Sequence, residues 1–344
     1  MSTFYILTTL LITLTTLPLI TSAFPTCTSL SGTEVDWYYI IVYHNKDSSS
    51  QILMDYFDSQ TTTTAIPLPS SLETFPPFAL RSHLLNSTSL SYINFNSSTS
   101  NGLFIFDNFN SSLLLVHSLE TPYPLSEPHF ASFSFPLTTN PHFLCITPHK
   151  QSTFSIAQTL QYININVYDS FKSEAFTYAK DTPLYNLIYN NDKAVLSPYE
   201  LETNIKTYNG NTFTIFTKGS NTMYNIFEYT LLRKYKSNIF IKNANRIMKD
   251  SFCYNNISEP CVYNIHSLRY NKNDEGTYDE FNDKTKWIVI ENGMTCLCDI
   301  DKSIMDIVEN GNGNIYCFKN DNVYKHLYQS IETYINTMGQ IEMV

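Results

Sequence analysis

The chain has 344 residues, 43% of them hydrophobic, 15% aromatic and only 15% charged. That is enough apolar matter for a substantial core, in one large domain or two ordinary ones at roughly 100–200 residues each. The formal net charge of −10 argues against a protein that coats nucleic acid, while leaving room for one that grips a few phosphates in a local cleft. The charge is lopsided. Residues 24–150 hold three basic side chains (Lys46, Arg81, Lys150) against nine acidic ones, and the other eighteen basic residues follow position 150.

The chain opens with "FYILTTLLITLTTLPLITSA", uncharged and apolar apart from its hydroxyls. Residues 1–23 read as a secretory signal peptide rather than a membrane anchor, because Pro18 and the small residues Thr21-Ser22-Ala23 favour cleavage. No later segment approaches the roughly 20 apolar residues of a spanning helix. The run "VDWYYIIVYH" (35–44) predicts a strand. "NGLFIFDN" and "SSLLLVHS" follow at hairpin spacing, and "HFLCITP" (142–148) predicts another strand, with Pro-rich loops at 66–77 and 122–141 between them. Helices are predicted over 153–163, 221–235 and 322–336. In the last, Val323, Leu327, Ile331 and Ile335 recur at i+4 spacing. Strands mixed with helices indicate an α/β or α+β sandwich.

Secretion agrees with two other features. Asn86, Asn96, Asn110 and Asn256 each head an Asn-x-Ser/Thr sequon, three of them within 25 residues, which predicts an exposed, glycosylated region. Seven cysteines read as a disulfide framework with one left over. Cys296-x-Cys298 has no second pair at zinc spacing, so a metal knuckle is not expected.

Common catalytic signatures are missing: there is no Gly-x-Ser-x-Gly elbow, no phosphate-cradling glycine loop and no His-Glu-x-x-His. "ENGNGN" (309–314) reads as a turn. His117 ends an apolar strand ahead of a Pro-rich loop; its plain reading is a partly buried imidazole bonded to loop backbone. His44-x-Lys46 is the chain's only His-x-Lys, and a surface loop is its plain reading. The stretch 229–249 carries Arg233, Lys234, Lys236, Lys242, Arg246 and Lys249 and no acid, with Tyr229, Tyr235 and Phe240 interleaved. Cations there would neutralise phosphates and the aromatic faces would stack on bases. The alternative is a helix C-terminus that favours cations through its dipole, followed by a solvated strand edge. Lys284 and Lys286 sit two apart at the mouth of "WIVI", so on a strand they would face the same way.

Taken in order, "VDWYYIIVY", "LLLVHS" before a Pro-rich loop, "FLCIT", "KTKWIVIENGMTCLCDID" and "GNGNIYC" resemble the deoxyribonuclease II family over roughly residues 27 to 320. The resemblance implies a phospholipase D-like fold of two related sandwich halves around a pseudo-twofold axis, here 24–150 and 151–344. It also implies a His-x-Lys from each half in one central site. One histidine would attack phosphorus, the other would protonate the leaving oxygen, and the lysines would stabilise the transferring phosphoryl. No cofactor or metal is implied. The implied activity is acid endonucleolytic cleavage of DNA, in lysosomes or after secretion, with no membrane attachment of the mature form.

The motifs depart from the family at both half-sites. The first His-x-Lys is Thr99-Ser100-Asn101 here, and the second is Lys284-Thr285-Lys286. Both histidines are replaced, and only Lys286 keeps the family lysine. Two ammonium groups can hold a phosphate. A lysine stays protonated at acid pH and cannot attack phosphorus, and a threonine without an adjacent base is a poor nucleophile. His117 matches the histidine of the family's "HS" segment and remains as a single acid or base. The family pattern also implies disulfides Cys27–Cys145 and Cys296–Cys317. A third family bridge lacks its C-terminal partner, which leaves Cys253 to pair with Cys261 and Cys298 as the odd cysteine. Three readings follow. The first is a catalytically impaired family member that binds DNA or a protein. The second is an active acid endonuclease using Lys286, His117 and His44 with Lys46. The third is a non-enzymatic secreted binding glycoprotein.

Overall fold

The structure, a computed structural model, describes residues 24–44, 52–69, 71, 74–85, 87–96, 101–109, 111–119, 121, 123–125, 140–189, 200–219, 225–243, 250–253, 259–269, 285–300, 311–335 and 338–344. In chain order, a short ribbon of β1 (Cys27–Thr28) and β2 (Glu34–Val35) leads into β3 (Trp37–His44), β4 (Ile52–Asp58) and β5 (Thr62–Pro67). Helix α1 (Pro76–Leu85) precedes β6 (Ser91–Asn96), β7 (Asn101–Phe106), β8 (Ser112–His117) and β9 (His142–Ile146). Then come α2 (Thr153–Tyr162), β10 (Asn166–Phe171), α3 (Pro183–Ile188), β11 (Glu200–Lys206) and β12 (Thr212–Lys218). A π-helical turn (Phe227–Leu231) runs into α4 (Leu232–Tyr235), followed by β13 (Ile239–Lys242), β14 (Phe252–Cys253) and β15 (Cys261–Leu268). The chain continues through β16 (Trp287–Ile290), β17 (Met294–Cys298), β18 (Gly313–Lys319), α5 (Asp321–Ser330), β19 (Ile331–Ile335) and β20 (Ile341–Met343).

These strands build two large sheets of an α+β protein. Sheet 1 has the order β10-β6-β7-β8-β9-β3-β4-β5; sheet 2 has β11-β12-β18-β17-β16-β13-β15-β19-β20, with β14 paired to β15. Strand alternation sends Trp37, Tyr39, Ile41 and Tyr43 into a core shared with Phe213, Trp287, Val289 and Tyr316 of sheet 2. Trp37 meets Phe318 at 5.1 Å between ring centroids, so the sheets pack against each other face to face. The intervening residues Tyr38, Ile40 and Val42 enter an outer cluster with Phe78 and Leu84 of α1. Sheet 2 has its own outer cluster, in which Ile288 and Ile290 meet Phe227, Leu231 and Leu232. Burial on both faces is why these strands read as continuous apolar runs and not as alternating ones.

The two sheets repeat one local pattern. In sheet 1, Asn101 lies opposite His117, His117 opposite Phe143, and Leu115 opposite Cys145. In sheet 2, Trp287 lies opposite Leu297, Cys298 opposite Ile315, and Cys296 opposite Cys317. Just past these strand ends the Ser118 N–H donates to the His142 carbonyl at 3.2 Å, and the Asp299 N–H to the Asn314 carbonyl at 2.9 Å. Asn101 thus corresponds to Lys286, Gly102 to Trp287, His117 to Cys298, His142 to Asn314 and Cys145 to Cys317. Gly102 is required where it stands: a Cβ there would lie 2.5 Å from the Leu115 carbonyl oxygen and 2.7 Å from the Phe95 ring.

Disulfides join Cys27 to Cys145, Cys253 to Cys261 and Cys296 to Cys317, and Cys298 is buried outside them. Away from the matched strand ends, buried Asp36, just before β3 of sheet 1, accepts from Thr207 Oγ1 at 2.6 Å, Asn209 N–H at 3.0 Å and Asn211 Nδ2 at 2.8 Å. That network ties it to the β11–β12 turn.

Helix α2 forms over nearly the predicted span. The prediction for 322–336 needs correction: the helix stops at Ser330, and 331–335 is strand β19. The β-branched residues Ile331, Thr333 and Ile335 pair with Leu268, Ser267 and Asn264 of β15, so an available sheet edge overrides the i+4 stripe. In the 221–235 segment the described part is the π-turn followed by one α-turn. The segment 1–23 lies outside the described residues, and no described helix is long and apolar enough to cross a membrane.

Candidate active site

Two sets of strand ends meet at one place. On sheet 1, Asn101 begins β7, His117 ends β8 and His142 begins β9. On sheet 2, Lys242 ends β13 opposite Trp287, and Thr285 and Lys286 lead into β16. The Lys286 backbone N–H donates to His142 Nδ1 at 3.3 Å, across a separation of 144 residues.

The half-sites use their polar groups in the same manner. Asn101 Nδ2 donates to the Leu119 carbonyl at 2.5 Å, and Lys286 Nζ to the Asp299 carbonyl at 2.8 Å. By alternation, Asn101 shares the outer face of Leu103 and Ile105, and Lys286 that of Ile288 and Ile290. His142, Asn314 and Lys242 instead face the core between the sheets, as do their neighbours Leu144, Tyr316 and Phe240. Lys242 is buried and its Nζ donates to the Asn243 carbonyl at 2.8 Å.

Both histidines are deeply buried. His117 Nδ1 accepts the Leu119 N–H at 3.3 Å, while its Nε2 is buried with no hydrogen-bond partner among the described residues. Its ring lies between those of Tyr123 and Phe143, at 6.4 and 6.1 Å. Burial pushes the His117 pKa down to about 3. His142 is also lowered to about 3, first by burial and then by the charges of Lys286, His117 and Lys242. Both rings are therefore neutral through the mildly acid range. Chemically, the place offers ammonium donors that suit phosphate oxygens, and imidazoles that are bases or neutral donors without being imidazolium acids. No three His, Cys, Asp or Glu side chains among the described residues come together as a metal site.

Of the residues singled out in sequence, His117, Lys242 and Lys286 lie near His142, and Asn101 lies opposite His117 in sheet 1. Thr99, Lys284, Arg246, Lys46, Asn86, Asn110 and Asn256 lie outside the described residues. His44 ends β3 three positions beyond Ile41, the register partner of His142, so its backbone belongs to this end of sheet 1. Asn96 ends β6 opposite Asn101 and is partly exposed. The basic stretch is divided. Arg233 lies over the Tyr229 ring at 5.4 Å, Lys234 pairs with Glu202 and lies over Phe216, and Lys236 is the left-handed cap of α4. These three precede β13, whereas Lys242 ends it at the site. Sequence reading missed His142 as a site residue. It figured only as the first residue of a predicted strand, and no motif sets it apart.

The family model described as deoxyribonuclease II matches residues 82–337, a span that holds both sets of strand ends. Plancitoxin-1 of Acanthaster planci is 27% identical over 245 residues, which cover 68% of this chain and 64% of that protein. The chain thus matches a little under two thirds of the length of that relative.

Proposed function

The chain belongs to the deoxyribonuclease II family, and from that premise we propose that it is a secreted or lysosomal deoxyribonuclease II-like protein that has lost most of its hydrolytic chemistry and keeps a DNA-binding cleft. The observation that carries this reading is the pair of matched strand starts. There Asn101 and Lys286 each donate to a loop carbonyl, and neither motif supplies a histidine. The family chemistry needs a nucleophilic imidazole and a second one to protonate the leaving oxygen. His117 and His142 are neutral, so neither is an imidazolium that could protonate the leaving oxygen, and both are buried away from an attacking position on a phosphodiester. Losing members of a catalytic unit elsewhere costs about a millionfold in rate. Lys286 and Lys284 remain as cations for the phosphodiester backbone.

The matched registers support reading the chain as two related halves of a phospholipase D-like fold about a pseudo-twofold axis, with the halves near 24–150 and 151–344. Strand β10, from the second span, completes sheet 1 and laces the halves together. Three disulfides suit an oxidising compartment.

The test is plasmid nicking by the disulfide-intact protein at about pH 5 with EDTA present. A Thr99→His, Asn101→Lys, Lys284→His variant runs beside it. The natural protein is expected to leave the plasmid intact while the variant nicks it. Nicking by the natural protein that disappears in Lys286→Ala would overturn the impaired reading. It would favour an active acid endonuclease, for which the meeting of His142 with Lys286 is the supporting observation.

A further inference from the structure

The half-sites are joined by a side chain that belongs to neither motif. His142 stands at the first position of β9, in sheet 1, and its Nδ1 takes the backbone N–H of Lys286 from sheet 2 at 3.3 Å. The Lys286 carbonyl meanwhile accepts the Cys298 N–H at 3.1 Å, so the same residue is held by the ladder of its own sheet and by the imidazole of the other. An imidazole that accepts through Nδ1 carries its proton on Nε2, and the ring is neutral. The cations facing it are Lys286 before β16 and Lys242 of β13, with His117 on the adjacent β8; Tyr39 of β3 lies 6.1 Å away, ring to ring. All three basic groups, and burial, oppose a charge on His142.

The join is one-sided. Asn314 holds the matched position in sheet 2, but its amide works inside its own sheet, accepting from Thr217 Oγ1 at 2.8 Å and donating to the Tyr316 hydroxyl at 3.1 Å. Nothing in that arrangement reaches back to sheet 1. At these two matched positions the hydrogen bond that crosses between the sheets, among the described residues, is the one made by the imidazole at position 142.

We propose that His142 is the positioning residue of this site: as the Nε2–H tautomer it holds the start of β16, and with it Lys286, against the first residue of β9 in sheet 1, so that the Lys286 ammonium is set for a phosphate oxygen. The ligand class rests on the family reading; the inter-sheet clasp does not. A ring protonated at Nδ1 has no lone pair for the Lys286 amide, so the clasp holds only while His142 is neutral.

The experiment has two arms on the full disulfide-bonded chain. In the first, nitrogen-detected NMR reads the His142 tautomer, and amide hydrogen exchange reads Lys286. The expected result is an Nε2–H ring that does not change from neutral pH to about pH 5, with a protected Lys286 amide. His142→Asn keeps an acceptor oxygen near the Nδ1 position and retains the protection. His142→Phe keeps a ring without an acceptor and loses at least about tenfold of it. The Val289 amide, inside the β16 ladder, reports in both variants that the sheet is folded. An Nδ1–H tautomer, or unchanged Lys286 exchange in folded His142→Phe, overturns the clasp. In the second arm, a short double-stranded oligonucleotide is the probe. His142→Phe is expected to bind about tenfold more weakly, with most of the loss regained in His142→Asn. Equal binding by His142→Phe, once its clasp is shown broken, overturns the positioning role. Failure of the natural protein to bind the duplex counts against the proposed function, while the NMR arm still decides the clasp.

Discussion

The strand ends of sheet 1 and sheet 2 share a register but hardly a residue. Where sheet 1 has Asn101, Gly102, His117 and His142, sheet 2 has Lys286, Trp287, Cys298 and Asn314. Imidazoles lie on one side and the matched ammonium on the other. The difference teaches that backbone pairing and apolar burial maintain the scaffold, since both ends fold alike with opposite chemistry. The polar residues at these strand ends can therefore differ between the sheets while the scaffold stays the same.

The disulfides give the largest test of this comparison. Cys27–Cys145 closes a separation of 118 residues and Cys296–Cys317 one of 21, with Cys145 and Cys317 at matched strand positions. Chain entropy predicts losses of about 5 and about 3 kcal/mol on replacing each pair by alanine. Denaturant unfolding checks this, and equal losses would show that local strand context outweighs loop length. The pair Gly102 and Trp287 comes next, because one position admits no side chain and its counterpart is filled by the largest. Trp287→Ala should cost about 3–5 kcal/mol through the cavity it leaves in the shared core. Gly102→Ala should cost about 1–3 kcal/mol, because the blocking atom is the Leu115 carbonyl, which cannot swing aside.

Sheet 1 carries two buried histidines that make it acid-sensitive. Burial lowers the folded-state pKa of His117 and His142 to about 3, below the unfolded value near 6.5. The unfolded chain therefore binds more protons between those limits. The associated stability is complete above about pH 6.5 and falls toward pH 3, by up to roughly 1.4 kcal/mol per pH unit for each histidine. His117→Leu should remove about half of that slope in unfolding experiments run from pH 7 to about 4.5. Asn314→Ser, at the position matched to His142, should leave the slope as it is. The smallest effect concerns binding. Lys286→Ala should reduce the log–log salt dependence of oligonucleotide affinity by about 1, and Asn101→Ala should not change it. A similar change from both would mean that the half-sites still act as equals.

Much of this protein was readable in its residues. Runs of β-branched and aromatic side chains mark β3, β7, β8, β9 and β16, because a strand buried on both faces has a local signature. The 153–162 helix carries its own periodicity. The cysteine pairs followed from a likeness in residue order. Tertiary structure decided what depends on partners far along the chain. Residues 331–335 became a strand because β15 offered an edge. The basic stretch split because β13 runs through it, with Lys236 before its start and Lys242 at its end. His117 lost its basicity to burial under Tyr123 and Phe143. His142 became part of the site because the packing of two sheets brought it to Lys286. Local pattern reports the period of a segment and the face it buries. Which strand ends come to lie side by side is settled by the register of both sheets together, and no single segment contains that information.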